Sequence, residues 1–237
     1  MLPGMKRLLP VFLVLPLSGH DPGVEHAADD DLIYGVEVLT GYRSEYIDRG
    51  FKLANDVVEV QVNAELVLDD HWTLDLGAWY GTETGSESFD QITGFLGLAY
   101  DAESWQAGMD AAYSSYSHRV FEDGVRIGPF INWFWGDDWR IGAAMDYDTG
   151  ADGYYAQVDG TWTQPTGEDS FLSITGGLSA TSDFYSRSGL NDIFGRISWS
   201  YHINRHVAVT PFGGTSVALD SGGENRFFAG VWFEVNF

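Results

Sequence analysis

Two short stretches hold residue types suited to chemistry. Ser114, Ser115, Ser117 and His118 crowd together, and a serine hydroxyl relieved of its proton by an imidazole is the nucleophile of acyl transfer. In an extended chain such neighbours point to different faces, and the sequence places no Asn or Asp to orient the imidazole. Asp146, Asp148 and the Asp152-Gly153 pair offer the hard oxygen ligands that calcium takes, but Gln157 stands where a calcium loop needs a bidentate glutamate. A solvated acidic turn accounts for these aspartates, as a polar rim does for the serines, and a hydrolase at such a rim is the thinner reading. The six histidines show no ligand spacing, so no metal and no cofactor is expected.

A third set is larger and more regular. Glu37, Glu59, Gln61, Asn63, Glu65, Asp75, Gln91, Asp110, Arg126, Asn132, Arg140, Asp146, Gln157, Asp159, Asp192, Arg196 and Glu234 each fall on one parity of an alternating segment. The clearest case is the second segment, where Val58, Val60, Val62, Ala64, Leu66 and Leu68 oppose Glu59, Gln61, Asn63 and Glu65. Period two is the signature of a strand with one apolar face. Such a run spans ~20 Å once tilt is allowed, close to the apolar band of a membrane barrel.

The elements that must carry these residues repeat the same pattern to the end of the chain. Trp72 to Tyr80, Ile92 to Tyr100, Trp105 to Tyr113, Val125 to Trp133, Trp139 to Tyr147 and Tyr154 to Thr163 read as strands. Two less regular strands follow around Leu172 to Leu178 and Ile193 to Tyr201, then Val207 to Val217 and a final run to Phe237. No amphipathic helix is available to cover the apolar faces, which leaves lipid as the cover. The expected fold is all-β, a 12-stranded antiparallel up-and-down transmembrane β-barrel. Pro129 and Pro211 cannot donate to a ladder, so locally broken pairing is expected at both.

Links after odd strands read as mostly long: 43–55, 82–90, 115–123, 181–191 and 218–225. Links after even strands are mostly short, apart from 164–169, and the link at 150–153 is short where a long one is due. This asymmetry puts short turns and both termini on the periplasmic side. Trp72, Trp105, Trp133, Trp139, Trp162 and Trp199 fall on the outward parity beside the short turns, and Tyr42, Tyr80, Tyr113, Tyr147 and Tyr154 fall at the opposite ends. Two aromatic girdles at two interfaces are expected.

The final run places Phe227, Ala229, Val231, Phe233, Val235 and Phe237 on one parity. With its terminal aromatic it resembles the C-terminal assembly signal of Gram-negative outer-membrane barrels. The resemblance implies that Phe233, Val235 and Phe237 are read by the barrel-insertion machinery. Ser44-Glu45-Tyr46-Ile47-Asp48-Arg49-Gly50-Phe51 is similar to the Ser-Asp-Tyr-x-x-Arg-Gly stretch near the start of the TorF-like porin family, with Glu45 in place of the family's Asp and Lys52 where Ser is common. That family is regarded as small outer-membrane channels without a settled substrate. In this chain Gly50 permits a tight turn, and Arg49 either pairs with lumen or loop carboxylates or stays solvated.

Leu8 to Leu17 is an apolar run behind Lys6 and Arg7, too short for the ~18 residues a spanning helix needs. It reads as a secretory signal within 1–28, cut near Gly19 or near Ala27-Ala28, with the barrel over 29–237. The absence of cysteine suits passage through an oxidising periplasm. A net charge of −23 speaks against nucleic acid as a partner.

The function expected is a monomeric porin-like channel in the bacterial outer membrane, in contact with its lipids and lipopolysaccharide and passing small solutes. The inward residues Glu37, Glu59, Gln61, Glu65, Asp75, Asp110, Arg126, Asn132, Arg140, Asp146, Asp159, Asp192, Arg196 and Glu234 are the expected pore lining. Nine of these are carboxylates against three arginines, which predicts weak cation preference. Inward Gly77, Gly97, Gly108, Gly128, Gly142 and Ala144 leave space and favour an open pore. The alternative is a closed structural or loop-presenting barrel whose charges fill the lumen as a salt-bridge network.

Overall fold

A computed structural model describes residues 33–85, 89–117, 121–220 and 223–237. The secretory signal expected in 1–28, the start of the barrel at 29–32 and His118 lie outside the described residues. Twelve strands follow in order: β1 Ile33–Asp48, β2 Phe51–Val67, β3 Trp72–Glu83, β4 Asp90–Asp101, β5 Trp105–Tyr116, β6 Gly124–Trp135, β7 Trp139–Asp148, β8 Gly153–Pro165, β9 Ser170–Phe184, β10 Arg187–Asn204, β11 Val207–Ala218 and β12 Arg226–Asn236. Each pairs antiparallel with its neighbours, and β12 returns to β1 to close the barrel. Closure removes every sheet edge.

The alternation becomes two faces. Val58, Val60 and Val62 are exposed on the outside, whereas Val57, Glu59 and Gln61 are buried inside. At the end that carries the termini the links are short, 68–71, 102–104, 136–138, 166–169 and 205–206. The last residue is stitched there to the first strand, Phe237 N donating to Val36 O at 2.9 Å. Trp72, Trp105, Trp133, Trp139 and Trp199 are exposed near this terminal rim and Trp162 is half-buried; Trp105 pairs with Trp133 and Trp139 with Trp162 across strands. At the far rim three outward tyrosines donate to aspartates, Tyr42 to Asp56 at 2.5 Å, Tyr80 to Asp90 at 2.9 Å and Tyr147 to Asp152 at 2.5 Å.

Two expected long links are corrected. Residues 43–55 and 181–191 are not loops, because β1 and β2 continue to a two-residue turn at Arg49-Gly50, and β9 and β10 to one at Tyr185-Ser186. Arg49 (φ 51°) and Gly50 (φ 78°), like Tyr185 (φ 45°) and Ser186 (φ 67°), have the left-handed backbone of a type I′ hairpin. Holding a non-glycine there costs ~1–2 kcal/mol per residue, so tertiary contacts must fix these tips. The alternation fails in the first hairpin because polar and apolar residues are buried together, Asp48 and Arg49 with Tyr46, Leu53, Ala54 and Val57. A bulge helps to bend it inward, the register shifting between Tyr46↔Ala54 and Ile47↔Lys52.

Each proline interrupts one of its two ladders. The β6–β7 pairing passes over Pro129 and the β10–β11 pairing passes over Pro211 without a change of register, while the other side of each strand stays paired. The inward glycines do not leave the space expected of them. A Cβ on Gly77 would strike the Phe95 ring at 2.5 Å, on Gly108 the Phe130 ring at 2.6 Å, on Gly97 the Asp110 carboxylate at 2.6 Å and on Gly142 the Arg140 guanidinium at 2.5 Å. Side chains of neighbouring strands lie across these glycines and fill much of the interior.

Candidate functional site

The inward side chains form two layers. In the half of the barrel towards the terminal rim they are polar, Glu37, Glu65, Asp75 and Arg140 half-buried and Asn132, Asp159 and Glu234 buried. Glu37 accepts from Asn63 at 2.8 Å, and Asn63 accepts from Gln61 at 2.9 Å. Glu65 stands directly across the ladder from Asp75, and the Asp110 carboxylate lies over Gly97 on the adjoining strand. On β6 to β8, Arg140 donates to Asn132 at 2.7 Å and Thr161 at 3.1 Å and is ion-paired with Asp159. Arg196 lies over the Trp232 ring at 5.2 Å. Glu234 is buried, and its Oε1 has no hydrogen-bond partner.

Towards the far rim the interior is sealed. Glu59 on β2 lies at the base of the seal and binds side chains of three other strands at once, β1, β3 and β12. It accepts from Arg43 Nε at 3.0 Å and from Arg43 Nη2, from Trp79 Nε1 at 2.8 Å and from Trp232 Nε1 at 2.7 Å. Arg43, Trp79 and Trp232 are themselves buried, so the carboxylate charge is compensated without water. Above this knot, Tyr46, Leu53, Ala54 and Val57 from the first hairpin pack with Trp79, Phe89, Phe121, Tyr155 and Phe184 in one apolar cluster. Phe121 and Tyr185 stack at 4.4 Å, and Arg187 caps Phe51 at 3.7 Å. Burial pushes the Tyr185 hydroxyl up to about 12.

The tip of the hairpin crosses the barrel. β1 and β2 lie opposite β7 and β8 in the ring of strands, yet Arg49 reaches β7, where its Nη1 donates to Asp148 at 3.2 Å and its Nη2 is ion-paired with Asp146. The guanidinium also lies over the rings of Tyr155 at 5.0 Å and Phe184 at 5.3 Å. Its backbone oxygen accepts from Asn191 Nδ2 at 2.9 Å, and a Cβ on Gly50 would meet that same amide at 2.7 Å. Gly50 is therefore required twice, by its positive φ and by the close approach of Asn191. Asn191 and Asp192 fall where the β9–β10 register shifts, between Leu190 and Ile193, and Asp192 accepts from Ser179 and Ser216.

All fourteen residues expected to line the lumen are buried or half-buried on the inside. They do not act as one set. Glu59, Asp146 and Asp159 are neutralised by arginines, while Nε and Nη2 of Arg126 are buried without partners. Ser114 bonds to Thr93 inside the barrel, and Ser115 bonds to Asp123 at the exposed rim; adjacent serines on opposite faces do not converge on one reacting atom. Asp152 serves Tyr147, and no group of three or more His, Cys, Asp or Glu able to hold a metal occurs among the described residues.

Arg43, Trp79, Trp232 and Asn191 were not anticipated as site residues. Arg43 shares the parity of Glu37 and Gly41, but the alternation that marks the strand breaks just beyond it, so the sequence reads 43–55 as a link. Nothing local to Asn191 announces its contact with residue 49.

No protein-family model matches the sequence, and no curated protein matches it. Solved structures do share the fold. The KdgM porin in complex with disordered oligogalacturonate superposes with a TM-score of 0.57 at 9% identity, covering 86% of this chain and 99% of that one. An outer-membrane channel from Pseudomonas putida F1 gives 0.54 at 15% identity over 92% and 100%. The NanC porin gives 0.55 at 14% identity over 85% and 98%. At these identities the likeness is one of fold.

Proposed function

We propose that the chain is a monomeric outer-membrane channel for small polar solutes, with the terminal rim in the periplasm, closed at its outer mouth by the β1–β2 hairpin. One observation carries this reading: a polar inward face runs around a closed barrel with an apolar exterior, and the tip of the β1–β2 hairpin crosses its mouth to ion-pair with the opposite wall. A barrel built only as a scaffold has no need of half-buried inward carboxylates such as Glu37, Glu65 and Asp75. The outward valines, leucines and isoleucines and the two aromatic rims fit a bilayer. The fold shared with porins is consistent with the same use. The hairpin tip is also the stretch that resembles the TorF-like family.

Selectivity for cations is part of the proposal. Once the pairs of Arg43, Arg49 and Arg140 are set aside, Glu37, Glu65, Asp75, Asp110, Asp192 and Glu234 face Arg126 and Arg196. Screening over ~8 Å at physiological salt leaves such an excess effective in a narrow passage. The second reading, a barrel without transport, draws on the aromatic seal.

Recording from the purified protein in planar bilayers separates the two. The parent should conduct rarely, and Arg49→Asn should conduct steadily with cation-selective reversal potentials. Asparagine tolerates the left-handed turn, so this change removes the guanidinium and keeps the hairpin geometry. No steady conductance from the folded variant would refute the channel.

A further inference from the structure

The strands that receive Arg49 supply the groups that hold its guanidinium. Asp146 and Asp148 stand on β7, Tyr155 on β8 and Phe184 on β9. None belongs to the hairpin. Asp148 is oriented independently of its guest, its Oδ1 accepting from Gly150 N at 2.9 Å and Ala151 N at 3.3 Å while Oδ2 faces Arg49. Tyr155 is held by a hydrogen bond from its hydroxyl to Gln157 at 3.3 Å. Two carboxylates and two aromatic faces around a planar cation are the elements of guanidinium recognition.

The guest is held incompletely. Nε of Arg49 is buried with no partner, and so are Nε and Nη2 of the neighbouring Arg126. With Arg49 withdrawn, Asp146, Asp148 and Asp110 would face Arg126, leaving the site anionic. The far rim is acidic as well, with Asp56, Glu122, Asp123, Asp152 and Asp183, while Asp220 is paired with Arg187.

We infer that this site binds small solutes bearing a guanidinium group, with Arg49 as a tethered stand-in that they displace. The inference rests on the reading of the hairpin as a removable closure. A tethered guest acts at an effective concentration around the millimolar range, so a free solute must reach that level to open the mouth. Guanidinium should outcompete an alkylammonium ion of the same length, because only the planar fork presents paired N–H groups to the two carboxylates while lying on the rings.

The test uses the full-length protein purified in detergent, with folding checked by its heat-modifiable migration on gels. Calorimetric titration of agmatine into Arg49→Asn should show saturable binding. Binding should fall by about tenfold or more in Arg49→Asn/Asp146→Asn, as expected for loss of one charge-assisted hydrogen-bond partner, and should be weaker for putrescine by a similar factor. In bilayers, agmatine should raise the opening frequency of the parent. Absence of binding to Arg49→Asn, equal binding by the double variant, or equal binding of putrescine would overturn the inference. If Arg49→Asn conducts and binds no agmatine, the site falls and the channel stands; if it binds agmatine and never conducts, the channel falls and the site stands.

Discussion

Replacing Glu59 by alanine should weaken the barrel more than any other single change in its charged interior. The carboxylate accepts from both nitrogens of the Arg43 fork and from the indoles of Trp79 and Trp232, and it is itself only 2% exposed. Its removal leaves the Arg43 charge buried with no counter-ion, a loss of ~3–5 kcal/mol, and leaves two indole N–H groups without an acceptor at ~1–3 kcal/mol each. Because the groups share one site the losses overlap, and about 5 kcal/mol is the expected total. Unfolding in urea of the protein refolded into lipid, followed by tryptophan fluorescence and gel migration, measures it. Glu59→Gln keeps an acceptor oxygen and should fall between parent and alanine. Glu59→Gln/Arg43→Met should recover about 2 kcal/mol relative to Glu59→Gln alone, because the orphaned charge goes as well. A Glu59→Ala loss under about 1 kcal/mol, or strict additivity in the double variant, would mean that water or another group compensates Arg43 and that the knot is not the anchor described.

The remaining predictions use the same measurement or a close relative. Gly177→Ala should destabilise by ~1–3 kcal/mol, because its Cβ would meet the Val158 carbonyl at 2.7 Å and the Phe194 ring at 2.3 Å, whereas Gly176→Ala, with its nearest contact at 3.9 Å, should be close to neutral; equal effects would contradict the assignment of faces. Leu96→Arg, on the exterior of β4, should cost ~2–4 kcal/mol in a bilayer, and an unchanged stability would argue against lipid at that surface. Lys52→Ala breaks a half-buried pair with Glu45 at 3.0 Å and should change stability by under ~1 kcal/mol. Deleting Phe237 should lower surface levels in cells and leave folding into lipid vesicles nearly intact, which separates recognition by the insertion machinery from the Phe237 N to Val36 O bond.

The sequence by itself determined the barrel. Period two in strands such as Val58 to Leu68 and Trp72 to Tyr80 sets which side chain faces which side, since a slip of one residue would turn every side chain over. The count of strands, the placement of indoles beside the short turns and the interruptions at Pro129 and Pro211 follow from local chemistry of the same kind. The inward position of Glu59, Asp146 and Arg140 was readable for that reason, and so was the capacity of Arg49 to pair with a carboxylate.

Only the tertiary structure decided what those inward residues do. Arg49 meets Asp146 across 97 residues of chain, and Asn191 meets the backbone of Arg49 across 142. Such contacts depend on which strands stand opposite in a closed ring, and no alternation within a strand carries that information. The first hairpin was hidden for a related reason: buried Asp48 and Arg49 stand beside buried Tyr46, Leu53 and Ala54, and a bulge breaks the register, so its apolar residues keep no period two. The inward glycines were misjudged because the space above a glycine belongs to the strand beside it. Parity places Gly77 inside, but the side chain of Phe95 on the adjoining strand decides whether that space is empty.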